Sequence, residues 1–197
     1  MNLGIFGGTF DPPHLGHIKL AHAARDQLKL DRVLWVVAGQ SPLKLDRALS
    51  PAETRVEMAQ AAIAGEPSFV LSRVDLDRPG PHYTVDTLKI LTGETPGAEL
   101  FFIMGEDSLR DLPRWRNPGE IIELARLAVC RRPGVSANLE NLESIIPGLS
   151  DRIVWISFVP LEIASSDIQR QRRGGGAVES LLPAGVLEVI ERAGLYL

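Results

Sequence analysis

The chain has 197 residues, a net charge of −4, 45% hydrophobic and 23% charged residues, and a single cysteine. That length suits one domain with a real core, and the acidic balance provides no global field to draw the protein to nucleic acid or an anionic membrane. Cys130 alone excludes an internal disulfide and a cysteine-rich zinc site.

The first element in chain order is Leu3 to Phe6, an apolar run of strand character with no signal-peptide pattern before it. Gly7 to His17 follows as a turn-rich segment. Ile18, Ala21, Ala24 and Leu28 then fall on one face of a helix. Arg32 to Ala38 is the next strand. Its apolar run, Val33 to Ala38, is the longest in the chain and far too short to span a bilayer. We therefore expect a cytoplasmic protein without membrane contact. Ser50-Pro51-Ala52-Glu53 has the order of an N-cap, a first-turn proline and a capping-box glutamate. Phe69 to Val74 and Leu100 to Met104 are further strands, and Asn117-Pro118-Gly119-Glu120 repeats the helix-start pattern before Ile121, Ile122 and Leu124. Leu127 to Cys130 and Ile153 to Phe158 complete the strands. Residues 133 to 150 between them have the composition of a surface excursion, and Gly174-Gly175-Gly176 that of a flexible loop. Trp35 and Trp155 fall inside strand patterns and are expected in the core.

Several strands are apolar without alternation, as in a parallel sheet covered on both faces. Together with the strand–helix alternation this predicts an α/β fold: a doubly wound, mostly parallel, Rossmann-like sheet with helices on both faces. One domain over residues 1–197 is expected, with no internal repeat.

In such a sheet, ligands bind beyond the carboxyl ends of the strands. Gly7 and Gly8 follow the first strand, where the missing Cβ lets backbone N–H groups approach a phosphate. Pro12 and Pro13 stiffen the loop, and Gly16 leaves room for a ligand. His14 and His17 lie three apart, so a helix beginning there puts both on one face of its first turn. Two imidazoles beside the positive end of a helix suit charge building on a phosphate. No Gly-x-Gly-x-x-Gly dinucleotide fingerprint is present here. His22 and His82 read as ordinary structural histidines.

Gly7-Gly8-Thr9-Phe10-Asp11-Pro12 with His14-Leu15-Gly16-His17 resembles the signature of the HxGH nucleotidyltransferases. Further segments narrow the resemblance to the bacterial nicotinate mononucleotide adenylyltransferases: His82-Tyr83-Thr84-Val85-Asp86-Thr87-Leu88; Gly105-Glu106-Asp107 with Leu112 and Trp115; Arg55 with Met58; and the ending from Leu181 to Tyr196. Phosphopantetheine adenylyltransferases share the opening motif but are shorter and lack this central set.

The resemblance implies transfer of the adenylyl group of ATP, used with Mg²⁺, to nicotinate mononucleotide. It implies that His14 and His17 act on the ATP phosphates with the backbone of Gly7, Gly8, Thr9 and Phe10. Gly105 and Asp107 would meet adenosine. Ile163, Ser165, Ser166 and Gln169 would border the triphosphate, the C-terminal helical part (about 163–197) completing the ATP site. Trp115 would stack on the pyridine ring, Tyr83 and Thr84 would contact its carboxylate, and Lys44 would reach the mononucleotide phosphate. No resident metal site is implied, and self-association into a homo-oligomer stays open. Two positions depart from the family pattern. Leu43 replaces a histidine before Lys44, and Gln169 stands where the family has an arginine, leaving Arg170, Arg172 or Arg173 as the compensating cation. The choice between nicotinate and nicotinamide mononucleotide is not encoded in residue names.

Overall fold

The apolar runs without alternation become the strands of one sheet, buried on both faces. In the computed structural model, which describes residues 1–197 apart from 40–47, 132, 133, 135 and 160, the strands are β1 (Asn2–Gly8), β2 (Arg32–Val37), β3 (Phe69–Ser72), β4 (Glu99–Gly105), β5 (Arg126–Cys130) and β6 (Ile153–Ile156). The helices are α1 (Leu15–Leu28), α2 (Ala52–Ala62), α3 (Thr84–Glu94), α4 (Glu106–Asp111), α5 (Pro118–Leu124), α6 (Leu139–Ile145), α7 (Leu149–Arg152), α8 (Ser165–Arg173) and α9 (Val186–Arg192). All strand pairs among the described residues are parallel, in the order β3-β2-β1-β4-β5-β6. The expected doubly wound sheet is thereby present. Its order reverses between β1 and β4, so crossovers leave those two strands in opposite directions and open a crevice above their carboxyl ends.

Side-chain alternation divides the core between the two faces. Leu3 and Ile5 point to one side, with Phe102, Met104 and, from α3, Leu88 and Leu91. Phe6, Val33, Trp35 and Ile103 point to the other, against Ala21 and Ala24 of α1. The small alanines let α1 lie close to the sheet, so the start of α1 sits directly above the carboxyl end of β1. A third cluster joins Met58 of α2, Ile168 of α8 and Val186, Val189 and Ile190 of α9, which docks the C-terminal helices beside the crevice.

Two local expectations differ from the structure. The cap of α2 is Pro51 rather than Ser50; the Ser50 hydroxyl donates to the Tyr196 hydroxyl (3.4 Å), and Glu53 pairs with Arg73 (2.8 Å). Residues 133 to 150 are more than a surface excursion. Leu142 of α6, Ile146 at its C-terminal cap and Leu149 at the start of α7 are buried in the sheet's first core cluster. Of the tryptophans, Trp35 is fully buried, while Trp155 is half-buried under the Arg131 guanidinium (4.6 Å from its ring centroid).

The chain end folds back under the first loop. After α9, Gly194 (φ 59°) and Tyr196 (φ 60°) adopt left-handed conformations, and Leu195 N–H returns to Ile190 O (3.0 Å). This brings the Tyr196 hydroxyl to the Asp11 carboxylate, to which it donates. Burial, followed by the hydrogen bond and negative charge of Asp11, pushes the Tyr196 phenol well above its ordinary value. The folded state thus favours the neutral phenol. Its contribution to stability is complete below about pH 10, where unfolded tyrosine is also protonated, and is lost as pH rises beyond that. We expect urea midpoints to fall between pH 9 and pH 11, with a slope reaching about 1.4 kcal/mol per pH unit from this residue. A Tyr196→Phe variant should lose that share of the slope, and an identical slope in the variant would contradict the assignment.

Candidate active site

Beyond Gly8 the chain makes a short loop and enters α1 through His14, the N-cap, with His17 as the third helical residue. His14 N–H donates to His17 Nδ1 (3.1 Å), the reciprocal bond of a capping box with an imidazole in place of the usual glutamate. Because Nδ1 accepts, the neutral His17 ring carries its proton on Nε2 and presents a donor there. The two rings stack with centroids 3.7 Å apart and planes at 27°. Gly16 is required beneath them: a Cβ there would lie 2.9 Å from His14 Nδ1.

Phe10 holds the loop by its ring. At φ 47° it occupies a region rarely adopted by bulky residues. The ring is 1% exposed, stacked on Trp35 (4.8 Å) and edge-on to His17 (5.3 Å). Burial of an aromatic face on this scale offsets a backbone strain of about 1–3 kcal/mol. Among the described residues the amides of Thr9 and Phe10 donate to no other group of the chain, leaving donors at the carboxyl end of β1.

Across the reversal point Gly105 ends β4 and caps α4. The Asp107 carboxylate folds back over it, so a Cβ at Gly105 would meet Asp107 Oδ1 at 2.5 Å. Between these two strand ends lies a cleft of about 210 Å³, lined by seven of the sequence-predicted residues: Gly7, His14, His17, Gly105, Asp107, Trp115 and Ile163. Trp115 stands edge-on to Phe102 (5.8 Å, 88°). Cys130, Phe158 and Leu161 also line the cleft and were not anticipated. Cys130 and Phe158 could have been found from their places at and just beyond the ends of β5 and β6; Leu161 carries no sequence signal.

Other predicted residues lie outside the lining. Tyr83 caps α3 and Thr84 begins it, with the Arg116 guanidinium 4.6 Å above the Tyr83 ring. Arg78 supports this corner through Asp75 (3.0 Å) and Thr87 Oγ1 (3.1 Å). Lys44 and Leu43 lie outside the described residues. Ser166 sits in the first turn of α8. Ser165 Oγ and Gln169 Nε2 donate to Pro12 O (2.9 Å) and Asp11 O (2.7 Å). Both side chains therefore grip the loop. Of the candidate compensating cations, Arg170 pairs with Asp167 (2.6 Å) and Arg172 with Glu191 (3.6 Å). His22 and His82 behave as structural residues, His22 against Glu66 (3.2 Å) and His82 against Arg78 O (3.1 Å).

Arg55 has a role the sequence did not reveal. Only 3% exposed, it donates to Ser50 O (3.1 Å), Thr9 O (3.0 Å) and Ala38 O (2.6 Å). Burial lowers its pKa, while the neighbouring Asp11 and Tyr196 act in the opposite direction. Among the described residues no group of three His, Cys, Asp or Glu is placed to hold a metal ion, and no helix is long and apolar enough to cross a membrane.

The comparisons with known proteins agree with this geometry. Residues 5–172 match the family described as cytidylyltransferase-like. A Thermomicrobium roseum protein named "Probable nicotinate-nucleotide adenylyltransferase" is 46% identical over 98% of this chain and 91% of its own. A Thermus thermophilus protein of the same name is 43% identical over 100% of both. The solved structure of Plasmodium falciparum nicotinic acid mononucleotide adenylyltransferase complexed with NaAD superposes with a TM-score of 0.80 at 18% identity, covering 99% of this chain and 97% of that one, which shows the shared fold. The chain belongs to the nicotinate-nucleotide adenylyltransferases, within the cytidylyltransferase-like family.

Proposed function

We propose that the protein transfers the adenylyl group of Mg-ATP to nicotinate mononucleotide, releasing pyrophosphate and forming nicotinate adenine dinucleotide for NAD biosynthesis in the cytoplasm. The observation that carries this reading is the stacked His14–His17 pair, capping α1 at the reversal of strand order and facing Gly105 and Asp107 across the cleft. One phosphate oxygen of the mononucleotide attacks the α-phosphorus of ATP. A new P–O bond forms, the bond to the oxygen bridging to the β-phosphorus breaks, and pyrophosphate leaves with that electron pair. The attacking phosphate has its second pKa at about 6 and is already largely ionised at neutral pH, so no general base is needed. Catalysis reduces to alignment and stabilisation of charge. Mg²⁺ arrives as part of the Mg-ATP substrate.

In this reading His17 Nε2 and the His14 ring face the phosphates undergoing transfer, with the loop amides from Gly7 to Phe10 and the positive end of α1 beside them. The Asp107 carboxylate takes the ribose hydroxyls above Gly105. Trp115 offers its ring to the pyridine, with Tyr83 and Thr84 at the pyridine carboxylate and Lys44 at the mononucleotide phosphate. Ile163 and Ser166, at the start of α8, border the triphosphate. Ser165 and Gln169 serve that site through the loop they hold, and the C-terminal helical part completes the site within a single domain.

Purified protein should release pyrophosphate rapidly with Mg-ATP and nicotinate mononucleotide, and not with phosphopantetheine. His17→Ala should lower kcat by about 10²–10³-fold, the usual effect of removing one donor from a developing oxyanion. Release with phosphopantetheine instead would move the protein elsewhere in its superfamily. Trp115→Ala should raise KM for the mononucleotide by about 2- to 12-fold, corresponding to a lost aromatic pair of about 0.5–1.5 kcal/mol, while leaving KM for ATP unchanged. An equal rise in both values would remove Trp115 from the pyridine site.

A further inference from the structure

We infer that Tyr196, the penultimate residue, is a positioning residue for catalysis: its hydroxyl fixes the Asp11 carboxylate and thereby sets the loop that delivers His14 and His17. The inference rests on the proposed function for its kinetic consequences, and on geometry alone for its structural ones.

Asp11 is 3% exposed and Tyr196 is 8% exposed. A carboxylate so placed is stable only if its oxygens are bonded. Asp11 Oδ2 accepts from Ser50 N–H (3.1 Å), and Oδ1 accepts from the Tyr196 hydroxyl. Removing that hydroxyl leaves a buried carboxylate oxygen short of a donor. Its simplest relief is movement of the loop, because Asp11 lies only three residues before the helix cap at His14.

The tail is shaped for this contact. The backbone turns through left-handed residues at Gly194 and Tyr196, a conformation that costs a non-glycine residue about 1–2 kcal/mol. Leu197, one residue further, is 85% exposed. Tyr196 itself is buried against Asp11.

The tether also completes a pattern. Thr9 O is held by Arg55, Asp11 O by Gln169 and Pro12 O by Ser165. These side chains come from α2 and α8, and among the described residues none of them lines the cleft. Tyr196 is the one member that engages the loop through a side chain, Asp11, rather than through backbone. The loop is thus set by groups remote from substrate, and its amides and the following histidines inherit that geometry. A displacement of about 1 Å at reacting groups is enough to cost a large factor in rate.

The test compares wild type, Tyr196→Phe, Asp11→Ala and the double variant by steady-state kinetics and by hydrogen exchange of the ligand-free protein. Tyr196→Phe keeps the ring in its apolar cluster, so the fold should persist by circular dichroism. We expect its kcat to fall about 10-fold with KM for the mononucleotide unchanged, and amide exchange to quicken at Ser50, His14 and His17, whose N–H groups are bonded to the loop and the helix cap it sets, while the sheet amides keep their protection. The double variant should be no worse than the more affected single variant, since both remove one contact. Wild-type kcat and loop exchange in Tyr196→Phe would overturn the inference, as would a uniform loss of protection across the whole protein. If the wild type shows no turnover, the proposed reaction fails, and loop exchange alone still decides the tether.

Discussion

Three carbonyl oxygens from three different segments converge on one buried guanidinium, that of Arg55. The segments are the loop after β1, the residue after β2 and the turn before α2, and the last β1–β2 bond among them is Ala38 N–H to Gly8 O (2.8 Å). A buried cation compensated only by carbonyls is costly; here Asp11 supplies the nearby negative charge, and Tyr196 in turn satisfies Asp11. Without this cluster the carboxyl ends of β1 and β2 would carry unsatisfied backbone oxygens at Thr9 and Ala38. The cleft is built on top of it.

From there the chain of cause runs upward through short steps. Fixing Thr9, Asp11 and Pro12 fixes the entry to α1. Ala21 and Ala24, both fully buried, let α1 lie close against the sheet, so its first turn stands above the strand-order reversal. There the His14 amide selects the tautomer of His17, and the helix end adds a positive field. Catalysis by alignment and charge, without a proton-transferring residue, asks for this kind of site: rigid, polar and assembled before substrate arrives. The loop is held by Arg55, Ser165, Gln169 and Tyr196, none of which lines the cleft.

Much of this was legible in residue order. Six apolar runs and their alternation with helical patterns specified the parallel sheet, because burial on both faces leaves no polar alternation. His14, His17 and the adjoining glycines were legible because their composition is unneeded for a turn. Gly105, Asp107 and Trp115 were found through family resemblance, since nothing in their spacing alone places them opposite the histidines. The tethers were hidden for a physical reason. Arg55, Gln169 and Tyr196 touch a loop 46, 158 and 185 positions away in sequence, and no local periodicity encodes such contacts. Gln169 makes the point sharply: in place of a family arginine it invited a search for a substitute cation, whereas its amide serves a backbone carbonyl. Residues 133 to 150 were misjudged because their Pro, Gly, Ser and Asn drew attention from the two short helices among them, whose apolar Leu142 and Leu149, with Ile146 between, reach the core.

Imidazole nitrogen resonances report directly on whether the His14–His17 pair is the phosphate site. Long-range ¹H–¹⁵N spectra of the protein, recorded with and without a non-hydrolysable Mg-ATP analogue, should show His17 already in its Nε2–H form. The analogue should then shift the His14 and His17 ring nitrogens while leaving those of His22 and His82 in place. Binding of the analogue with the His14 and His17 nitrogens unmoved would contradict the account, because the nucleotide would then occupy another part of the molecule.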